Sequence, residues 1–545
     1  MNQIKILAAI FVLFTVLLTP WRSSLSQDDA VYARFAMELT HDFAKVHPLN
    51  VGGIWTQALL GAQVLKIVPH TDPILLLTTT TWLSFCVFIF VVGWFTRFPA
   101  FTLASFFLFP VWVQYGASFL PDVYSAVLVF ILWWLYFSIE SKTLNIAATY
   151  KNGWRILGIV LASVLAGIQY QVYLALPFAW GLAGIWKKRP RDAWPSYLLM
   201  GSAFLGLVVY STLPKSVLQV DGVYWILQGF LKDVGFNSYR FVFLALQLTL
   251  ALGLYFIPLL PLEKETLKKA PIMFLLQLIV AIVLLFVSPE VLSAGVFFTG
   301  YLPPVIGALL ISTGVWGLFG VWIEYQRGMD KRLFWGLVLG TVIVISFHSL
   351  RVVQDIRYAI VLSVPFLLLL SRRKSLASGP LVVRLGQKIF YLVPIFLVSL
   401  LTNLYNLETT EARWKLAREL EERQVDPFQI SAGYGRDIFV FEPACIQSAL
   451  RKIVFQKKPS DPLTRNSIYY ERVVTKVPRL FEDEATPHYL IKPKMVFGKE
   501  ITLIKNLRQG QNSEPIKVLN YTVLGLPNQV AVIDTGVNIA PWCFQ

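Results

Sequence analysis

Two adjacent carboxylates, Asp28 and Asp29, stand just after the first apolar run of the chain, in Ser26-Gln-Asp-Asp-Ala-Val-Tyr32. Like charges this close repel, which raises one carboxyl's pKa unless a cation is shared. Such a pair suits a general base that takes the proton of an acceptor hydroxyl. The same residues also read as a solvated loop, or as the N-cap of a helix beginning near Ala30. A third acid, Asp122, follows Pro121 and precedes a long apolar run, where it is either a site residue or the N-cap of a helix from Val123. Arg351, Asp355, Arg357 and Tyr358 stand at the edge of a late apolar segment. A guanidinium fork matches phosphate oxygens, and the alternative is an interface anchor or an Arg–Asp pair. Lys45 and His47, just before Pro48, read most simply as solvated loop residues.

Other chemistries lack their residues. There is no Walker-type loop, GxGxxG, GxSxG or HExxH pattern, and Gly433-Tyr-Gly435 is short enough to be a turn between strands. Three cysteines, Cys86, Cys445 and Cys543, are too few for a disulfide scaffold and form no zinc-type spacing. Asn520-Tyr-Thr522 fits a glycosylation sequon, a weak signal by itself.

The elements that must hold these residues are membrane helices. The chain of 545 residues is 56% apolar and 15% charged, with a mean hydropathy of +0.60. Soluble chains carry about 25% charged residues, so a bilayer must solvate the apolar excess. Runs near the length needed to span predict thirteen helices, at 4–20, 73–95, 101–117, 121–138, 155–168, 170–186, 194–213, 240–260, 271–288, 303–323, 333–349, 356–371 and 388–404. The Gly-rich segment 49–68 is expected to be re-entrant or to lie along the interface. The run 4–20 lacks a small-x-small cleavage site before Trp21-Arg22 and reads as an uncleaved first helix.

The net charge of +16 is topology information rather than a nucleic-acid footprint. Short loops such as Lys187-Lys188-Arg189 and Arg372-Arg373-Lys374 carry much of it, whereas the loops near 115–121 and 289–302 hold no Lys or Arg. With the N-terminus inside, the positive loops alternate onto the cytoplasmic face. The loop 21–72, Pro121-Asp122, Arg351–Tyr358 and everything beyond the last span then face outward.

Near Tyr405 the composition changes, with 19 Lys/Arg against 16 Asp/Glu from there to the end. A helix is expected over Glu411–Arg423, capped by Thr409 or Thr410, with Trp414, Ala417 and Leu420 on one stripe. Strand-like runs follow at Phe428–Ser431, Ile438–Phe441, Tyr489–Ile491, Val518–Val523 and Val530–Ile533. The expected organisation is a membrane unit over 1–404 and an outer α+β domain over 405–545. Cys445 and Cys543 would both lie in that domain, where pairing is expected if the compartment is oxidising.

Taken together, these motifs resemble the GT-C superfamily of membrane glycosyltransferases. The nearest branch is similar to bacterial protein O-mannosyltransferase-like enzymes and the aminoarabinose transferases of lipid A. Asp28-Asp29-Ala-Val-Tyr32 matches the family's acidic pair and Tyr, with Asp29 in place of the commoner Glu. Leu120-Pro-Asp122-Val matches its second acid, and Arg357-Tyr358 followed by Pro365 matches its late Arg-Tyr. Val46-His47-Pro48-Leu49 departs from the Lys-Pro-Pro-like stretch of the aminoarabinose transferases.

The resemblance implies a mostly α, polytopic helix bundle of GT-C type in the inner (plasma) membrane. It implies transfer of a sugar from a polyprenyl-phosphate carrier to a lipid, glycan or protein acceptor on the outer face, with inversion. Asp28 would be the base, and Arg351, Arg357 and Lys45 the phosphate partners. Tyr32, His47 and Tyr358 would line the substrate site. Asp29 and Asp122 would orient groups or hold a divalent cation, Mg or Mn. The competing classes are a transporter or flippase, an O-antigen ligase-like transferase, and a non-catalytic assembly subunit. A transporter more often carries repeats and mid-membrane ionisable residues.

Overall fold

A computed structural model describes residues 29–42, 54–96, 98, 103, 106–107, 118–119, 121–140, 146–186, 193–214, 238–257, 269–287, 304–349, 358–371, 381–427, 430–432, 489–496, 499–500, 515–523 and 525–534. The expected span 4–20, most of 101–117 and the strand 438–441 lie outside the described residues.

Three described helices are long and apolar enough to cross a membrane. They are α3 (Pro73–Phe95), α4 (Pro121–Glu140, apolar to Ile139) and α7 (Trp194–Thr212). At 1.5 Å per residue α3 is about 35 Å long, enough for a hydrocarbon core of about 30 Å. Its start is fixed by chemistry: Asp72 Oδ1 accepts from the Ile74 and Leu75 amides at 2.8 and 3.2 Å, and Pro73 needs no partner for a missing N–H. Shorter apolar helices or parts of helices lie at Gly153–Gln169, Gln171–Ile185, Ala245–Phe256, Ala270–Phe286 and Tyr358–Ser371.

The remaining helices are α1 (Asp29–Leu39), α2 (Trp55–Ile67), α5 (Ile146–Gln169), α6 (Ala175–Ile185), α8 (Ser238–Phe256), α9 (Ala270–Val287), α10 (Pro304–Ser312), α11 (Gly314–Gln326), α12 (Lys331–Ser349), α13 (Tyr358–Ser371) and α14 (Leu381–Glu422). The segment 49–68 therefore contains a regular helix, and the run 303–323 is two helices meeting at Thr313. The run 170–186 opens as a 3-10 turn over Gln171–Leu174 before α6.

Position in the bundle follows from how much of each helix is apolar and against what it packs. α13 is apolar all round, and Tyr358 through Leu370 are buried, so it runs through the interior against α4 and α8. The spanning part of α4 is 78% buried, against 39% for α3 and 33% for α7. The outer faces of α3 and α9 present Trp94 and Phe286 at 74% and 86% exposure, apolar surface that water would not tolerate in such amounts.

Two helix crossings depend on glycine for close backbone approach. α8 meets α11 where a Cβ on Gly314 would overlap Leu250 O, and one on Gly317 would overlap Gly253 O. α5 meets α7 in the same way at Gly167 and Gly206, beside a Ser163–Ser202 hydroxyl pair at 3.0 Å. Small residues plus an interhelical hydroxyl bond are the usual means of joining helices in lipid, at about 0.6 kcal/mol per bond.

α14 runs without a break through Tyr405, where the domain boundary was expected, so Thr409 and Thr410 cap nothing. Its C-terminal turns place Ala412, Leu416, Ala417 and Leu420 against Ile430, Ala432, Val530 and Val532. Trp414 faces elsewhere and belongs to the main bundle's core, which corrects the expected stripe. The sheet comprises β1 (Ile430–Ser431), β2 (Tyr489–Val496), β3 (Lys499–Glu500), β4 (Pro515–Val523) and β5 (Leu526–Asp534). Its order is β1-β2-β5-β4, with β3 on β2; among the described pairs only β1–β2 is parallel. Gly525 turns β4 into β5 at φ +81°, a conformation open to glycine at little steric cost.

Candidate functional site

Of the nine residues given a site role from the sequence, the described ones are Asp29, Tyr32, Asp122 and Tyr358. Asp28, Lys45, His47, Arg351 and Arg357 lie outside the described residues, as do Cys445 and Cys543.

Asp29 opens α1 and is 3% exposed, so it is not a solvated loop residue. Its Oδ1 accepts from the Ala30 amide at 3.1 Å. Tyr32 lies one turn on and is also buried, as are Ala33, Phe35 and Ala36. Asp122 is 2% exposed and lies within the first turn of α4, because the helix starts at Pro121 rather than at Val123. Pro121 favours that earlier start, since its fixed φ suits the first helical position. Each acid thus sits at the N-terminal end of a helix, where the aligned peptide dipoles favour negative charge.

The elements carrying these residues are tied together by α2. On one side, Phe35 of α1 meets Trp55 edge-on with centroids 5.2 Å apart. Two residues later, Gln57 reaches the approach to α4: its Nε2 donates to Phe119 O at 2.8 Å. The Gln57 backbone N–H donates to Gln169 Oε1 at 2.9 Å, and Gln169 Nε2 donates to Gln57 Oε1 at 3.3 Å and to Pro121 O at 3.5 Å. Ile54, just before α2, donates its N–H to Gln169 O at 3.0 Å. It does so in the left-handed region, at φ 32°, where a β-branched residue is strained.

The next residue after Gln169 carries the link onward. Tyr170 stacks on Tyr358 with centroids 6.5 Å apart and planes 27° from parallel. Tyr358 is the first residue of α13 and follows directly on Arg357. The fold therefore brings α1, the first turn of α4 and the start of α13 around one polar node.

Compared with known proteins, the chain matches no family model, no curated protein and no solved structure.

Gln57, Gln169, Tyr170 and Ile54 were not singled out from the sequence. A signal existed for the two glutamines: each is an uncharged amide inside an apolar segment, and such groups are costly in a membrane unless they bond to one another or to backbone. Among the described residues no group of three or more metal-ligating side chains forms. Asp29 and Asp122 offer hard carboxylate oxygens of the kind that hold Mg²⁺ or Mn²⁺ with help from a substrate's phosphate.

Proposed function

We propose that this chain is a multi-pass membrane glycosyltransferase of GT-C type, using a polyprenyl-phosphate sugar as donor. The observation that carries this reading is the arrangement of the matched residues. Asp29, Asp122 and Tyr358 are far apart in sequence, yet all are buried at the N-terminal ends of helices linked through α2 and the Gln57–Gln169 node. Buried carboxylates at helix starts in an otherwise apolar bundle suit polar chemistry on an amphiphilic substrate better than they suit packing.

In this reading Asp28 takes the proton of the acceptor hydroxyl. The sugar's anomeric carbon is attacked from the face opposite the lipid phosphate, with inversion. Arg351, Arg357 and Lys45 stabilise the departing phosphate, which is where charge develops. Tyr32, His47 and Tyr358 line the donor site. Asp29 and Asp122 would orient groups or hold a divalent cation, Mg²⁺ or Mn²⁺, whose charge would offset that of the donor phosphate. The acceptor is a lipid, glycan or protein at the outer face. Thirteen spans, a cytoplasmic N-terminus and an outward C-terminal unit complete the topology.

Two experiments test it together. Single-cysteine variants at positions 27 and 465 are labelled with an impermeant thiol reagent in intact cells. Purified protein is then assayed for transfer from a polyprenyl-phosphate sugar to candidate acceptors. Labelling without permeabilisation and measurable transfer are expected. Labelling only after permeabilisation would overturn the topology, and absence of transfer across donor sugars would overturn the activity.

A further inference from the structure

We propose that Gln57 and Gln169 are positioning residues that set the first turn of α4, and with it Asp122, for the transfer step. The inference rests on the glycosyltransferase reading for its kinetic part and on geometry alone for its structural part.

Both amides are fully buried, although they sit 112 positions apart. Within the pair, each Oε1 is satisfied by the other residue: Gln169 Oε1 by the Gln57 backbone N–H, and Gln57 Oε1 by Gln169 Nε2. What remains to each side chain is donor capacity, and both direct it to one short stretch of backbone. Gln57 Nε2 donates to Phe119 O and Gln169 Nε2 to Pro121 O. Those carbonyls belong to Phe119, two residues before α4, and to Pro121, its first residue, and Asp122 is the next residue.

If holding helices together were the whole task, packing would do it without burying two amides in an apolar interior. A pair that pins two carbonyls on either side of one residue instead fixes the direction in which the helix starts. The carboxylate of Asp122 rides on that direction. Ile54 reinforces the assignment, since its strained backbone is held by the bond to Gln169 O, which sets α2 against α5 at the same node.

Gln57→Met with Gln169→Met replaces both side-chain amides by unbranched apolar chains of similar size, so the bond between the two side chains vanishes from both ends, while Phe119 O, Pro121 O and the Gln57 backbone N–H lose their side-chain partners. Three readouts follow. Thermal unfolding in detergent should stay cooperative, with a lowered midpoint from the backbone groups left without side-chain partners. Amide hydrogen exchange in the peptide covering 119–125 should rise. The kcat for transfer from a polyprenyl-phosphate sugar should fall on the order of 10- to 100-fold with KM little changed. In an Asp122→Asn background the Met pair should add no further loss, because the amides act through Asp122.

Parental exchange at 119–125, parental kcat, or a fully additive loss in the Asp122→Asn background would each overturn the proposal. If the parent protein transfers no sugar, the glycosyltransferase reading fails, and the exchange measurement by itself decides whether the pair positions α4. Should the double variant lose its fold, Gln57→Met alone carries the same readouts, since Gln169 can still reach Pro121 O.

Discussion

Thr409 on α14 and Tyr521 on β4 hold their hydroxyl oxygens 2.7 Å apart. This bond ties the long helix to the sheet next to a small cluster of Tyr405 and Val523, with Tyr521 packed against it. The same helix that sends Trp414 into the core of the helix bundle thus also forms one wall of the sheet's core. Thr409→Val and Tyr521→Phe should each lower stability by about 0.5–1.5 kcal/mol. The double variant should lose less than the sum, as measured by thermal unfolding of purified protein. Strict additivity would show that the two hydroxyls do not support one another.

Glu419 and Lys517 make a second link between α14 and β4. The Lys517 ammonium, bonded to the carboxylate, holds Glu419 below the usual carboxylate range. A depressed folded pKa means the stabilisation is complete above the unfolded value of about 4.3 and is lost as pH falls through the folded value. The pair is about one-third exposed, so its contribution is small, about 0.2–1 kcal/mol. Glu419→Gln should lower stability at pH 7 by that amount, and the deficit should shrink as pH falls through the folded value. A deficit that persists unchanged into acid would assign the effect to packing.

Glycines separate by what surrounds them. Gly314→Val and Gly317→Val would drive a side chain into Leu250 O and Gly253 O, which are backbone atoms with little room to move. Each should destabilise the protein by about 1–3 kcal/mol or more. At Gly201 a Cβ would meet nothing within 4 Å, so Gly201→Ala should be neutral or gain up to about 1 kcal/mol in helix propensity. Detergent-solubilised melting curves compare them directly, and equal melting for Gly317→Val and Gly201→Ala would refute the close crossing of α8 and α11.

The adjacent acids should divide their roles. Loss of a general base costs roughly 10²–10⁴-fold in rate, and loss of an orienting or cation-binding group usually less. Asp28→Asn should therefore abolish measurable transfer while expression and donor binding stay near normal. Asp29→Asn should be milder and respond to added Mn²⁺ or Mg²⁺. Turnover at the parental rate in Asp28→Asn would remove that residue from the base role.

Arg357 precedes the Tyr358 ring that stacks on Tyr170. If its fork of donors grips the donor phosphate, Arg357→Lys should lose most activity despite keeping the charge. Unchanged donor affinity and full transfer in that variant would reduce Arg357 to an interface anchor.

What the sequence determined by itself was local. Hydropathy placed α3 at 73–95 and α7 to within a residue at its end, because an apolar run of spanning length admits few other conformations. Strand periodicity placed β4 and β5 near Val518–Val523 and Val530–Ile533 for the same kind of reason. The types and order of Asp28, Asp29, Asp122, Arg357 and Tyr358 were enough to suggest chemistry. Tertiary structure alone decided that Asp29 is buried, that α14 passes unbroken through Tyr405, and that Trp414 turns to the bundle instead of the sheet. It alone brought Gln57 to Gln169 and both to the start of α4. Periodicity is a property of neighbours in the chain. Which buried amide finds which carbonyl depends instead on competition among all the helices for the same interior, a competition that window-by-window reading of the sequence cannot see.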